Sequence, residues 1–333
     1  MVFHSAILAL LTSSILVTFM ILYSTRHGIQ ILRRWDLRSG SEVQLNLERR
    51  TYLISSLLSY AFVFQLGSLF LFIYTADHLH TLFVGAMCSA GSLYVNSYGY
   101  PALVLKVASF LLAGLWLIFN YADNRAYDYP LIRKKYLLLL AISPFIVVES
   151  VLQANYFLLL RPDVITSCCG SLFSANGSNV ASEVASLPSL PVKVVFYFWT
   201  AMTLSAGAWF TFRGRGGYLF AGLSGVQFLV GIVSILSFVS LYFYELPTHH
   251  CPFCILQREY GYIGYPLYVA LLGSAITGMG VGVLMPFRKI DSLQEVIPTL
   301  QRRLAMVSVF LILVFTAIVT YRVIFSNLIL EVP

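Results

Sequence analysis

Charge is scarce in this sequence. Only 11% of its 333 residues are Asp, Glu, Lys or Arg, against about a quarter in soluble globular domains. So few ionisable groups cannot coat a water-facing surface of this size, and a soluble fold is excluded. The phosphate-cradling G-x-x-x-x-G-K-[S/T] loop, the G-x-G-x-x-G dinucleotide fingerprint and the H-E-x-x-H zinc-protease helix are all missing. Energy from nucleotide hydrolysis must therefore come from another chain. Covalent haem attachment is excluded as well, because Ile255 stands where a C-x-x-C-H site needs histidine. Cysteine is sparse too, with five residues, none of them inside an apolar run.

What is present is apolar length. Hydrophobic residues make up 59% of the chain and the mean hydropathy is +0.81. Runs of roughly 20 residues, enough to cross about 30 Å of hydrocarbon, fall at about 5–25, 51–76, 102–121, 136–160, 192–212, 218–244, 266–287 and 304–326. The expectation is an all-α polytopic membrane protein, a single bundle of eight transmembrane helices covered by lipid. The first run lacks a basic start and a small-residue cleavage site, and reads as a retained helix.

Basic residues set the orientation, since short cytoplasmic loops retain Lys and Arg. One set of loops carries Arg26, Arg33, Arg34, Arg38, Arg49 and Arg50, then Arg125, Arg133, Lys134 and Lys135, then Arg213 and Arg215, then Arg288, Lys289, Arg302 and Arg303. The opposite loops carry only Arg161, Lys193 and Arg258. Both termini and the loops 77–101, 161–191 and 245–265 are thus expected on the extracytoplasmic face, which in a bacterium is that of the inner membrane. The net charge of +7 then reports topology, and no nucleic-acid partner is expected.

That topology sends every cysteine outward: Cys88 to one loop, Cys168 and Cys169 to the next, Cys251 and Cys254 to the third. Three outward hairpins side by side would let these sulfurs converge on one site. The most specific string is His249-His250-Cys251-Pro-Phe-Cys254-Ile-Leu-Gln257-Arg258. A Cys-x-x-Cys closes a small reducible disulfide, and cationic neighbours such as His249, His250 and Arg258 favour the reactive thiolate. The same pair offers soft ligands to Cu, Zn or an iron–sulfur cluster, with His249 and His250, or His78 and His80, as further donors. Spacing alone leaves both chemistries open.

Cys251-Pro-Phe-Cys254-Ile-Leu-Gln257-Arg258 resembles the quinone-coupled segment of the DsbB disulfide-forming membrane proteins, in which an arginine lies four residues after the second cysteine. Arg258 matches that position. More loosely the arrangement is similar to vitamin K epoxide reductases, with outer-loop cysteines upstream of a membrane-edge Cys-x-x-Cys. The resemblance covers about ten residues. It implies a thiol:quinone oxidoreductase in which Cys251 and Cys254 pass electrons to a quinone, while Cys88, Cys168 or Cys169 exchange with an extracytoplasmic thiol protein. A structural or electron-transfer subunit of a membrane complex is the remaining alternative.

Two further groups belong to these readings. Tyr260 and Tyr262 suit the headgroup zone and are candidates to line a cofactor. Glu149, an ionisable residue inside the fourth run, is a functional candidate by its cost alone, as a proton relay or cofactor contact, or else as a structural partner of Lys106. The Gly278-x-x-x-Gly282 step reads as a close helix-packing surface.

Overall fold

The computed structural model describes residues 4–35, 41–161, 164–166 and 180–330. Their secondary structure is helical, with no strand among them, and loops join the helices. The helices are α1 (Ser5–Arg34), α2 (Glu42–Leu79), α3 (Ser89–Tyr94), α4 (Gly99–Asp123), α5 (Ile132–Leu158), α6 (Val180–Ala185), α7 (Ser189–Arg213), α8 (Gly217–Ser234), α9 (Ser240–Tyr244), α10 (Gly264–Leu284) and α11 (Val296–Phe325). A π-helical segment, Ile235–Val239, joins α8 to α9.

Seven helical segments among the described residues are long and apolar enough to cross a membrane: Ser5–Arg34, Glu42–Leu82, Gly99–Asp123, Ile132–Leu158, Gly217–Tyr244, Gly264–Phe287 and Val296–Phe325. They mark the chain as a multi-pass membrane protein. The eighth expected span, 192–212, lies on α7, a helix of 25 residues that stands outside those seven. Its interior Tyr197, Trp199, Thr200, Thr203, Ser205, Gly207, Trp209 and Thr211 dilute its apolar content. Several helices also run past the expected ends. Within α2 the apolar pattern starts near residue 51, but polar residues from Glu42 onward continue the same helix.

The chain divides into two compact units. The first contains residues 1–75, 96–160 and 286–300, and the second residues 76–95, 161–285 and 301–333.

In the first unit α5 packs against both α1 and α4. Its core joins Ile21 of α1, Leu58 and Phe62 of α2, Trp116 of α4 and Leu139 and Ile142 of α5, all essentially inaccessible. Pro144 interrupts the α5 backbone ladder because it has no N–H to donate to Leu140. The Ser143 hydroxyl donates to that carbonyl instead, at 3.0 Å.

Two buried ion pairs sit inside this unit. Lys106 Nζ lies 2.8 Å from Glu149 Oε1, and Lys135 Nζ lies 2.7 Å from Asp123 Oδ2. A charge in an apolar interior survives only when paired and hydrogen-bonded, and both pairs meet that condition. Gln65 Nε2 donates to both oxygens of Glu149 at 2.8 Å, and Lys106 also donates to Ser68 Oγ at 3.2 Å. Lys135 donates to Asn120 Oδ1 at 3.1 Å, and Asp123 Oδ1 accepts the Leu131 N–H at 2.9 Å.

In the second unit α8 is the central element, in contact with both α7 and α10. Phe210, Phe220, Val281 and Ala305 form a buried layer. Gly278 and Gly282 of α10 face Ser224 and Ala221 of α8, where an added Cβ would lie only 2.3 Å from Ser224 Oγ and 2.4 Å from Ala221 Cβ. The small residues thus serve close helix approach inside the unit.

Candidate metal and thiol centre

The second unit gathers three sulfurs. Cys88 lies in the loop before α3, and Cys251 and Cys254 in the loop after α9. Their Sγ atoms all lie within 4.8 Å of one another, and all three residues are buried. Cys88 and Cys251 are in van der Waals contact at 3.5 Å, far beyond the roughly 2.05 Å of an S–S bond. His249 adjoins one of them, its Nε2 lying 3.4 Å from Cys254 Sγ.

Local chemistry explains why the 251–257 segment folds inward. Cys254–Leu256 forms a 3₁₀ turn, closed by Leu256 N–H to Phe253 O at 2.9 Å and Gln257 N–H to Cys254 O at 3.0 Å. The Tyr244 hydroxyl donates to Cys251 O at 2.5 Å and accepts the Ile255 N–H at 2.9 Å, so one phenol ties both sides of the Cys-x-x-Cys together. Tyr268 of α10 donates to Pro252 O at 2.6 Å. These bonds satisfy buried backbone groups that irregular structure leaves open.

The Cys88 segment is held by a different set. Gly85 has φ +88°, and a Cβ there would lie 2.4 Å from the Thr166 carbonyl oxygen, so both conformation and space require glycine. Thr166 in turn donates its N–H to Val84 O at 3.0 Å and its hydroxyl to Gly91 O at 2.9 Å. On the other side, Asp77 Oδ1 accepts the Ser89 N–H at 3.2 Å and the Gln257 amide at 3.2 Å. Gln257 Nε2 also donates to Met87 O at 2.9 Å.

His249 and His250 part company. The ring of His249 meets Tyr244 edge-on, with centroids 4.5 Å apart. Burial holds its imidazole below the usual range, opposed by the charge of Cys88 and reinforced by His250. A neutral imidazole keeps a lone pair for a metal or a thiol proton. His250 Nδ1 instead pairs with the Leu236 carbonyl at 2.9 Å, in the π-helical segment whose wider turn spoils the regular hydrogen-bond ladder.

No family model matches this chain, and no curated protein or solved structure is similar to it.

Of the residues the sequence singles out, Cys88, Cys251 and Cys254 come together, with His249 against Cys254. Cys168 and Cys169 lie outside the described residues. Arg258 is exposed on the turn after the site, and the polar side chain that reaches the Cys88 segment is its neighbour Gln257. Tyr260 packs edge-on against Tyr244, with centroids 4.9 Å apart, and burial together with the nearby Cys254 pushes its phenol up. Tyr262 is exposed, with φ +56°. His80 bonds the Asp77 carbonyl through Nδ1. Glu149, a candidate cofactor contact or else a partner of Lys106, belongs to the first unit and is engaged by Lys106 and Gln65.

Sequence reasoning missed Asp77, Tyr244 and the role of Gln257. The one signal for Asp77 is an acidic residue close to the end of an apolar span, which is expensive unless used.

Proposed function

We propose that this is a multi-pass membrane protein that holds a soft metal ion, Zn(II) or Cu(I), through Cys88, Cys251 and Cys254, with His249 as the fourth donor. One observation carries the reading: three sulfurs from segments 163 residues apart lie mutually within 4.8 Å and are buried. Zinc bonds of about 2.3 Å to sulfur and 2.0–2.1 Å to nitrogen set the edges of a tetrahedron at roughly 3.5–3.8 Å. The Cys88–Cys251 and Cys254–His249 separations of 3.5 and 3.4 Å are close to such edges. Thiolate and imidazole are the ligand types that select these ions over Mg or Ca. Burial favours the same reading, because sulfurs screened from water are poorly placed for attack by an external protein thiol.

The topology that completes the proposal has eight spans, with α7 as the fifth, and both termini outside. The lopsided Lys and Arg distribution supports it. It puts the sulfur centre on the extracytoplasmic face, with membrane lipid around the spans.

The Cys88–Cys251 contact also favours a second reading, the quinone-coupled thiol redox site that the Cys-x-x-Cys-x-x-x-Arg resemblance implies. There Cys251 and Cys254 close a disulfide, their two electrons and two protons reducing a quinone to a quinol, and Cys88, in contact with Cys251, exchanges with an extracytoplasmic thiol protein. Metal analysis of protein purified in detergent separates the two. The metal reading expects about one Zn or Cu per chain in the wild type and a loss of most of it in Cys251→Ser. Metal-free protein carrying bound quinone and a reducible Cys251–Cys254 disulfide would favour the redox reading.

A further inference from the structure

The three sulfurs do not come from one segment. Cys251 and Cys254 lie three positions apart in one loop, whereas Cys88 reaches them from a loop distant in sequence. Something must fix the distance between the two segments, and the short turns inside each cannot do so. Two bonds that cross toward the Cys88 loop come from one side chain. Gln257 follows the Cys254–Leu256 turn directly, and its backbone N–H closes that turn on Cys254 O at 3.0 Å. Its side-chain amide donates to Met87 O, the residue before Cys88, at 2.9 Å, and to Asp77 Oδ1 at 3.2 Å. The same Asp77 oxygen accepts the N–H of Ser89, the residue after Cys88, at 3.2 Å. Cys88 is thus bracketed on both sides by a Gln257–Asp77 clamp whose other end is rooted at Cys254.

We infer that Gln257 and Asp77 are positioning residues that decide whether the centre binds its metal through three sulfurs or two. The inference rests on the soft-metal reading above. A carboxamide suits the task for a definite reason: its NH₂ carries two donors, which match one carboxylate oxygen and one carbonyl. A carboxylate at position 257 would offer no donor and would face Asp77 with like charge. Asp77 needs only to accept, so asparagine, which keeps a side-chain oxygen, preserves its part.

Cobalt(II) binding to the purified full-length protein tests this, because the thiolate-to-cobalt absorption grows with each sulfur ligand. Wild type is expected to show a three-thiolate spectrum and Cys88→Ser a two-thiolate one. Gln257→Ala and Asp77→Ala should shift to the two-thiolate spectrum and lose about 10–100-fold in affinity, as supporting contacts to metal ligands typically do. Asp77→Asn should keep the three-thiolate spectrum. In the Cys88→Ser background Gln257→Ala should change little, since the residue acts through Cys88; a residue that merely stabilised the fold would weaken binding there as well.

A three-thiolate spectrum retained in Gln257→Ala overturns the clamp. Absence of any cobalt spectrum in the wild type instead overturns the metal reading, and metal-free protein then tests the clamp alone. Maleimide labelling of Cys88, read by mass spectrometry, should be several-fold faster in Gln257→Ala than in wild type, with Cys251 unchanged. Equal rates would overturn it.

Discussion

Cys88 and Cys251 are 163 positions apart in the chain and 3.5 Å apart at their sulfurs. Chain entropy opposes such a meeting, and ordering groups costs about 1–2 kcal/mol per residue for the backbone alone. The structure offsets that cost with hydrogen bonds to otherwise orphaned backbone groups and with nearly complete burial of the residues involved. Thiols that merely filled a core would need no imidazole beside them and no phenol tying the Cys-x-x-Cys backbone. The arrangement suits the metal reading proposed above.

Tyr244 is the first test of that support. Changing it to Phe removes the donor to Cys251 O and the acceptor for the Ile255 N–H, leaving buried backbone groups unpaired at about 1–3 kcal/mol. Metal affinity should fall about 10-fold or more while the ring packing survives. Isothermal titration with Zn(II) checks it, and unchanged affinity would remove Tyr244 from the account.

The Lys106–Glu149 pair makes an opposite pair of predictions in the first unit. Glu149→Ala leaves the Lys106 ammonium buried without its counter-charge, and should destabilise the protein by about 3–5 kcal/mol. The combined Lys106→Met and Glu149→Gln variant removes both charges and keeps a polar partner for Gln65, so it should lie near wild type. Unfolding midpoints in detergent decide between a structural pair and one that function requires. A stable double variant that loses metal would show that the pair does more than hold helices.

Helix approach in the second unit is equally testable. At Gly278 a methyl group would meet Ser224 Oγ at 2.3 Å and Ser224 Cβ at 2.4 Å, so Gly278→Ala must push α10 off α8. Overpacking of this kind costs about 1–3 kcal/mol. The expected result is a lower unfolding midpoint, partly restored by adding Ser224→Gly.

Much of this was legible in the sequence, and the boundary is physical. Spans were legible because twenty apolar residues in a row have few other uses, whereas α7, diluted by its Trp, Tyr, Thr and Ser residues, sits at the margin of that signal. The Cys-x-x-Cys was legible because its partners are local. Which distant cysteine joins it depends on tertiary packing, and spacing does not encode that. Asp77 and Gln257 were mute for another reason: each is an ordinary polar residue near a membrane edge until the other is placed 3.2 Å away. Lys106 was readable as a partner for Glu149, but the twofold bond from Gln65 was not.

A pH effect follows from Glu245 at the C-terminal end of α9. Its carboxylate accepts the Asn327 backbone N–H at 3.2 Å and the Asn327 side-chain amide at 3.3 Å, and these bonds hold it below the usual carboxylate range. A folded pKa below the unfolded one means that the unfolded state binds the proton more readily. The contribution is therefore present above the ordinary Glu pKa and is lost as pH falls through the folded value. Acidifying from pH 6 to 3 should loosen residues 326–330, seen as broader motion of a spin label at Leu328. Glu245→Gln should flatten that response.

The most direct measurement of the central claim is X-ray absorption at the metal edge of the purified protein, which counts ligand atoms. The account predicts about three sulfurs near 2.3 Å and one nitrogen near 2.0–2.1 Å, falling to two sulfurs in Cys88→Ser. A metal coordinated by oxygen and nitrogen alone, or a sulfur count that Cys88→Ser leaves unchanged, would contradict it.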